Sequence, residues 1–148
     1  MVPFRYLVLA AGLPLFVGAG AQLSPETGAR EIMATMVDPS ANFIWKSVST
    51  IVTANGVEEK FPRNDREWSD LRKAAARLAE GGNLLKKDRR RAGDSDWLKW
   101  SQAIVDAANT TLKAVDAENA DQVLEAGGEI YNPCVGCHGG YWRMTTPP

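Results

Sequence analysis

The sequence predicts an all-α protein: an up-down-up-down bundle of four helices, with a small hairpin between the first two. Three observations lead there. Four stretches carry apolar residues at the 3.6-residue period, each amphipathic with one apolar stripe. Capping residues stand ahead of these stretches. The connections between them are mostly short, as a bundle requires. There is no G-x-G-x-x-G and no alternation of strand and helix, so a dinucleotide-binding α/β fold is excluded.

Helix A is expected from about residue 25 to 37. Ser24 is its cap, Pro25 its first residue, and Ile32, Met33, Met36 and Val37 form its apolar side. Asp38-Pro39 should kink or break it, because proline removes a backbone donor and crowds the preceding turn. A restart would carry Ala41, Phe43, Ile44, Trp45 and Val48. Asn55-Gly56, flanked by Ile51, Val52 and Val57, is a two-residue hairpin signal, and Pro62 closes that segment.

Helix B, about 65–85, is capped by Asn64 or Asp65. Its stripe is Trp68, Leu71, Ala75 and Leu78, and Gly81-Gly82 weakens its end. The charged stretch from Lys86 to Arg91 reads as a solvated loop or as a surface that steers an acidic partner. Helix C begins at Asp94, Ser95 or Asp96, with Trp97, Trp100, Ile104, Ala108, Leu112 and Val115 in register. Helix D begins near Asn119 or Asp121. It runs through Val123, Gly127, Ile130, Cys134 and Cys137 on one buried face and ends at Gly139-Gly140. Most of the tryptophans are simplest as core.

Residues 1–21 read as a removable export signal. Arg5 supplies the positive charge, Leu7 to Val17 the apolar core, and Ala19-Gly20-Ala21 the cleavage site. The apolar run is too short to span a bilayer, which takes ~20 residues. Residues 22–148 would form one domain, soluble and periplasmic. The net charge of −1 falls one unit further without Arg5, a balance unlike that of a general nucleic-acid binder.

Two cysteines in an exported chain suggest a disulfide, but their spacing suggests something else. Cys134-Val135-Gly136-Cys137-His138 holds both cysteines and the single histidine. C-x-x-C-H is the attachment signature of c-type haem. On a helix these three side chains share a face, so two thiols and one imidazole can address one flat ligand. A structural zinc site wants four ligands, and the chain offers three. A thioredoxin-like motif wants a βαβ setting and a helix N-terminus. A bridge between the two cysteines would leave the adjacent histidine unexplained.

A C-terminal haem motif on the last of four helices resembles the cytochrome c prime family, the class II c-type cytochromes. The resemblance is carried by Ile130-Tyr131, by the motif itself and by Tyr141. Ile32-Met33, Val37-Asp38-Pro39, Ile44-Trp45, Trp68 and Asn83-Leu84-Leu85 resemble a proteobacterial branch. Trp142 stands where the family commonly has arginine, with Arg143 next, and the family's basic position on helix A is only loosely matched by Arg30.

The resemblance implies one covalent haem c tethered by Cys134 and Cys137, with His138 as the proximal iron ligand. It also implies that a sixth ligand, where present, is a methionine from helix A. Met33 is preferred over Met36, although both read equally well as core filler, and Met144 follows His138 too closely. With a methionine ligand the protein is an electron carrier serving a redox partner protein. Without one it is a five-coordinate haem protein that binds nitric oxide or carbon monoxide. A bundle whose haem serves mainly stability is the third reading. No second histidine is present to act as a distal base, so enzyme activity is not expected. Family members often form homodimers through the first two helices.

Overall fold

The computed structural model describes residues 28–141. The expected signal, the Ser24-Pro25 helix start, and Trp142, Arg143 and Met144 lie outside them. The described chain is mostly helical, with one two-stranded sheet, and is compatible with a helical bundle.

The first rod joins α1 (Ala29–Ile32), a π turn (Met33–Val37) and α2 (Asp38–Ser47). Of the expected kink or break at Asp38-Pro39, the break is absent: the backbone stays helical through Asp38, and the irregularity is the π turn just before it. The Asp38 N–H donates to the Met33 carbonyl five residues back, so the turn is one residue wider than an α turn. Pro39 gives a physical reason, since its ring would press on the carbonyl four residues back and has no N–H to offer it. That carbonyl belongs to Thr35, and it accepts instead from Arg77 Nη2 at 3.0 Å. A side chain from the next helix thus supplies a donor that proline removes.

The hairpin pairs β1 (Ser49–Thr53) with β2 (Gly56–Lys60), antiparallel. Its turn residues are Ala54 and Asn55 rather than the expected Asn55-Gly56, and Gly56 opens β2 at φ 132°. This register sets Val52 opposite Val57, an apolar cross-strand pair that a turn one residue later would lose. No non-glycine residue of the hairpin has a positive φ, so the turn is not of the primed type, and Gly56 takes up the unusual geometry.

α3 (Asp65–Lys86) is capped by Asn64, whose side chain accepts the Glu67 N–H. Glu67 in turn accepts the Arg63 N–H at 2.8 Å, which holds its carboxyl below the usual range. α3 continues through Gly81 and Gly82 to Lys86. They are buried where neighbours come closest: a Cβ at 81 would lie 2.8 Å from Val37 Cγ2, and one at 82 would lie 2.8 Å from Val105 Cγ2 and 3.1 Å from the Ser101 carbonyl.

α4 (Ser95–Asp116) is capped by Asp94. It ends in paired bonds from Glu118 N–H to the Val115 carbonyl and from Asn119 N–H to the Ala114 carbonyl. Glu118 sits at φ 49°, where glycine is usual. Asn119 then caps α5 (Ala120–Glu129). The expected single helix D is two helices, for α6 (Tyr131–Tyr141) follows after Ile130. Pro133, in the first turn of α6, has no N–H to continue the ladder of α5. Gly139-Gly140 does not end α6, which runs through both.

The core joins Ile32, Val37 and Ile44 of the first rod to Leu71 and Leu78 of α3. Ile104 and Val115 of α4, Val123 of α5 and Ile130 complete it. Two indoles fasten the layers. Trp45 Nε1 donates to the Gly127 carbonyl, and Trp97 Nε1 to the Leu85 carbonyl, both at 2.7 Å. α3 packs most extensively on α4, and α6 packs chiefly on α4.

Two substitutions of opposite sign test this packing by urea denaturation. Gly82→Ala gains helix propensity but forces a methyl against Val105, Ile104 and the Ser101 carbonyl, so it should lower stability by about 1–3 kcal/mol. Glu118→Gly relieves the left-handed backbone and should raise stability by roughly 0.5–1 kcal/mol.

Candidate functional site: the C-x-x-C-H helix

α6 brings Cys134, Cys137 and His138 onto one helix at the spacing that shares a face. The helix face is not fully buried, as the stripe had suggested. Both cysteines are half-buried and packed against the core, while His138 is exposed. The thiols are free, with no bridge between them. Cys134 Sγ donates to the Ile130 carbonyl at 3.2 Å.

Burial pushes both thiols up. The Asp38 carboxylate adds to the effect at Cys134, and Cys134 itself adds to it at Cys137. A nucleophilic or redox-active C-x-x-C needs the reverse, a thiol shifted down by a helix N-terminus or a nearby cation. Thiols pushed up in this way stay protonated at neutral pH. Among the described residues, no three of His, Cys, Asp and Glu gather to hold a bare metal ion.

The residue between the cysteines is held by its neighbour. A Cβ at Gly136 would collide with the ring carbons of Trp100, so the α4 indole lies directly on the α6 backbone. Lys99 Nζ sits 4.6 Å from the centre of that ring. One turn beyond His138, the Tyr141 hydroxyl donates to Asp94 Oδ1 at 2.6 Å. Asp94 also accepts the Trp97 N–H at 3.0 Å, so a single carboxylate caps α4 and holds the end of α6. The Tyr141 ring meets Trp97 edge-on at 5.2 Å. Arg91 lies over both rings, 5.4 Å from Trp97 and 5.0 Å from Tyr141. One member of the basic run is therefore engaged with the aromatic cluster, not simply solvated.

Sequence reasoning found Asp94 as a cap and Tyr141 as part of the motif's surroundings. It missed the bond between them, because residues 47 positions apart carry no local signal of contact. The contact of Trp100 with Gly136 was missed too; the small residue between two cysteines was its one trace.

The structure does not bring the methionines to the motif in the same direct way. Met36 is buried on the π turn, with its Cβ 3.5 Å from where a side chain on Gly81 would begin. Met33, on the same turn, is half-buried against the core. An open groove lined by Thr35, Pro39, Phe43, Lys73 and Arg77 runs between the first rod and α3, and it contains no residue of the motif.

The Asp94–Tyr141 bond needs an ionised carboxylate and an intact phenol. The bond holds Asp94 below the usual carboxylate range and pushes the Tyr141 phenol up to about 12. Its contribution to stability is therefore present in the neutral range. It is lost as pH falls through the lowered Asp94 value, and again as pH rises through the raised Tyr141 value. In a phenolate absorbance titration, the tyrosine that ionises near pH 12 in the parent protein should return toward 10 in Asp94→Asn. An unchanged titration would show that the bond does not persist in solution.

Comparison with protein-family models, with curated proteins and with solved structures finds no match for this chain, so the reading of the site rests on its own residues and their chemistry.

Proposed function

We propose that this chain is an exported c-type cytochrome of the cytochrome c prime kind, a four-helix up-down bundle that carries one covalent haem on its last helix and serves as an electron carrier. The observation that carries the proposal is the pair of half-buried, unbridged cysteines one helical turn apart on one helix, with the single histidine next in sequence. Thioether attachment needs two unbridged thiols: each S–H adds across a vinyl C=C, the sulfur bonding one carbon and the hydrogen the other, with no oxidant consumed. The donor set has the chemistry the group needs. Cys134 and Cys137 would hold its edge, and His138 would give the iron an imidazole.

The haem supplies a one-electron iron couple, and the protein sets its potential through the ligands and through burial. Met33 is the proposed sixth ligand. It is half-buried, whereas Met36 is committed to the contact with α3 at Gly81. A thioether there favours ferrous iron and closes the site to small gases. The expected signal in residues 1–21 supports a periplasmic location, where haem attachment takes place. The partner is then another redox protein.

Absorption spectra of the purified protein test this reading. The ferric form should be low-spin with a methionine-to-iron charge-transfer band. Met33→Ala should abolish that band and admit carbon monoxide. Met36→Ala should keep the band and cost about 2–5 kcal/mol of stability as a core cavity. A wild type that is already high-spin and binds carbon monoxide readily would replace electron transfer by gas binding. Loss of the band in Met36→Ala alone would leave the function standing and exchange the ligand.

A further inference from the structure

The hairpin is the part of the chain that neither the bundle nor the haem reading uses. It projects large apolar side chains into solvent: Ile51 is 51% exposed, Val52 76% and Val57 64%. The sheet has only two strands, so each has one edge with no strand beside it among the described residues. Such an edge offers unpaired N–H and C=O groups to another chain, and natural edges are usually blunted by charge or proline. The two edges here differ. β2 carries Glu58, Glu59 and Lys60. β1 reads Ser49-Thr50-Ile51-Val52-Thr53, with no charge, no proline and four β-branched residues in five.

We infer that the outer edge of β1 is a self-association site, where β1 of a second copy of this chain pairs antiparallel with it about a two-fold axis at Ile51, giving a four-stranded sheet across the dimer.

The register follows from the alternation of hydrogen bonds. Thr53 and Gly56 flank a two-residue turn, so the turn bond joins them. Counting back, Thr53, Ile51 and Ser49 direct their N–H and C=O groups toward β2, and those of Thr50 and Val52 point outward. A two-fold at Ile51 sets Thr50 opposite Val52 of the second copy, and Val52 opposite its Thr50. All the outward groups of both residues are then paired. Ile51 meets its own counterpart at a non-hydrogen-bonded position, where side chains approach most closely. No charge faces a like charge at this seam.

The same operation on β2 would centre on Glu58 and set it against itself, which disfavours that edge. A C2 interface must be self-complementary, and β1 is. This surface is distinct from the faces of the first two helices through which related bundles often dimerise, and it does not depend on whether the protein carries haem.

Sedimentation velocity of the exported protein as purified, over a range of concentrations, tests the site together with amide hydrogen exchange. A concentration-dependent dimer is expected, with the Thr50 and Val52 amides protected as it forms. Ile51→Lys sets two cations against each other on the axis and should weaken association by more than about a hundredfold. Thr50→Pro removes an outward N–H from each copy while sparing the bonds to β2, and should weaken association by about tenfold or more. Helical circular dichroism, unchanged in both variants, separates lost pairing from lost folding. A wild type that stays monomeric at all concentrations would overturn the proposal, as would a dimer that survives both variants. So would Thr50 and Val52 amides that exchange freely in the dimer.

Discussion

The Trp100 indole lies where a side chain at position 136 would have to go, and around this contact α6 is fixed on α4. The rest of the candidate site depends on it. Glycine between the two cysteines allows the approach. The approach sets α6 against α4 at the level of the thiols, and Asp94 then holds the helix end through Tyr141. Trp97, which donates to the Leu85 carbonyl below, anchors the same end of α4 to α3. The motif thus stands on a helix braced at its middle and its end, with two half-buried thiols and an exposed histidine. A helix of this length with a proline in its first turn would otherwise be marginal, since isolated short helices do not hold in water.

Much of the fold was legible in the sequence because its long helices obey one rule. The stripes of helices B and C are buried or half-buried throughout, and Asn64, Asp94 and Asn119 cap where their side chains can reach an N–H three residues on. The C-x-x-C-H spacing is itself a sequence feature, and the structure adds that one helix carries all three residues. In two places a tertiary contact overrides the local signal. Pro39 does not break the first rod, because Arg77 from α3 serves the carbonyl that proline leaves without its donor. Gly81 and Gly82 do not fray α3, because Val37 and Val105 press where their side chains would be. Pro133 splits helix D, a consequence that was local and legible but was overlooked beneath a continuous apolar stripe.

The hairpin shows the same limit from the other side. The Asn-Gly signal located it correctly, but the pairing of Val52 with Val57 moved the turn by one residue. Because side chains alternate along a strand, that single step decides which groups face outward. The two-fold arrangement about Ile51 exists only in the observed register.

Intact-mass analysis of the purified protein under denaturing conditions, followed by identification of the peptide that contains the two cysteines, tests the central claim most directly. The account predicts one haem retained on the peptide that contains Cys134 and Cys137, both bonded through sulfur. An unmodified peptide with two free thiols, or one lacking only the two hydrogens of a disulfide, would contradict it.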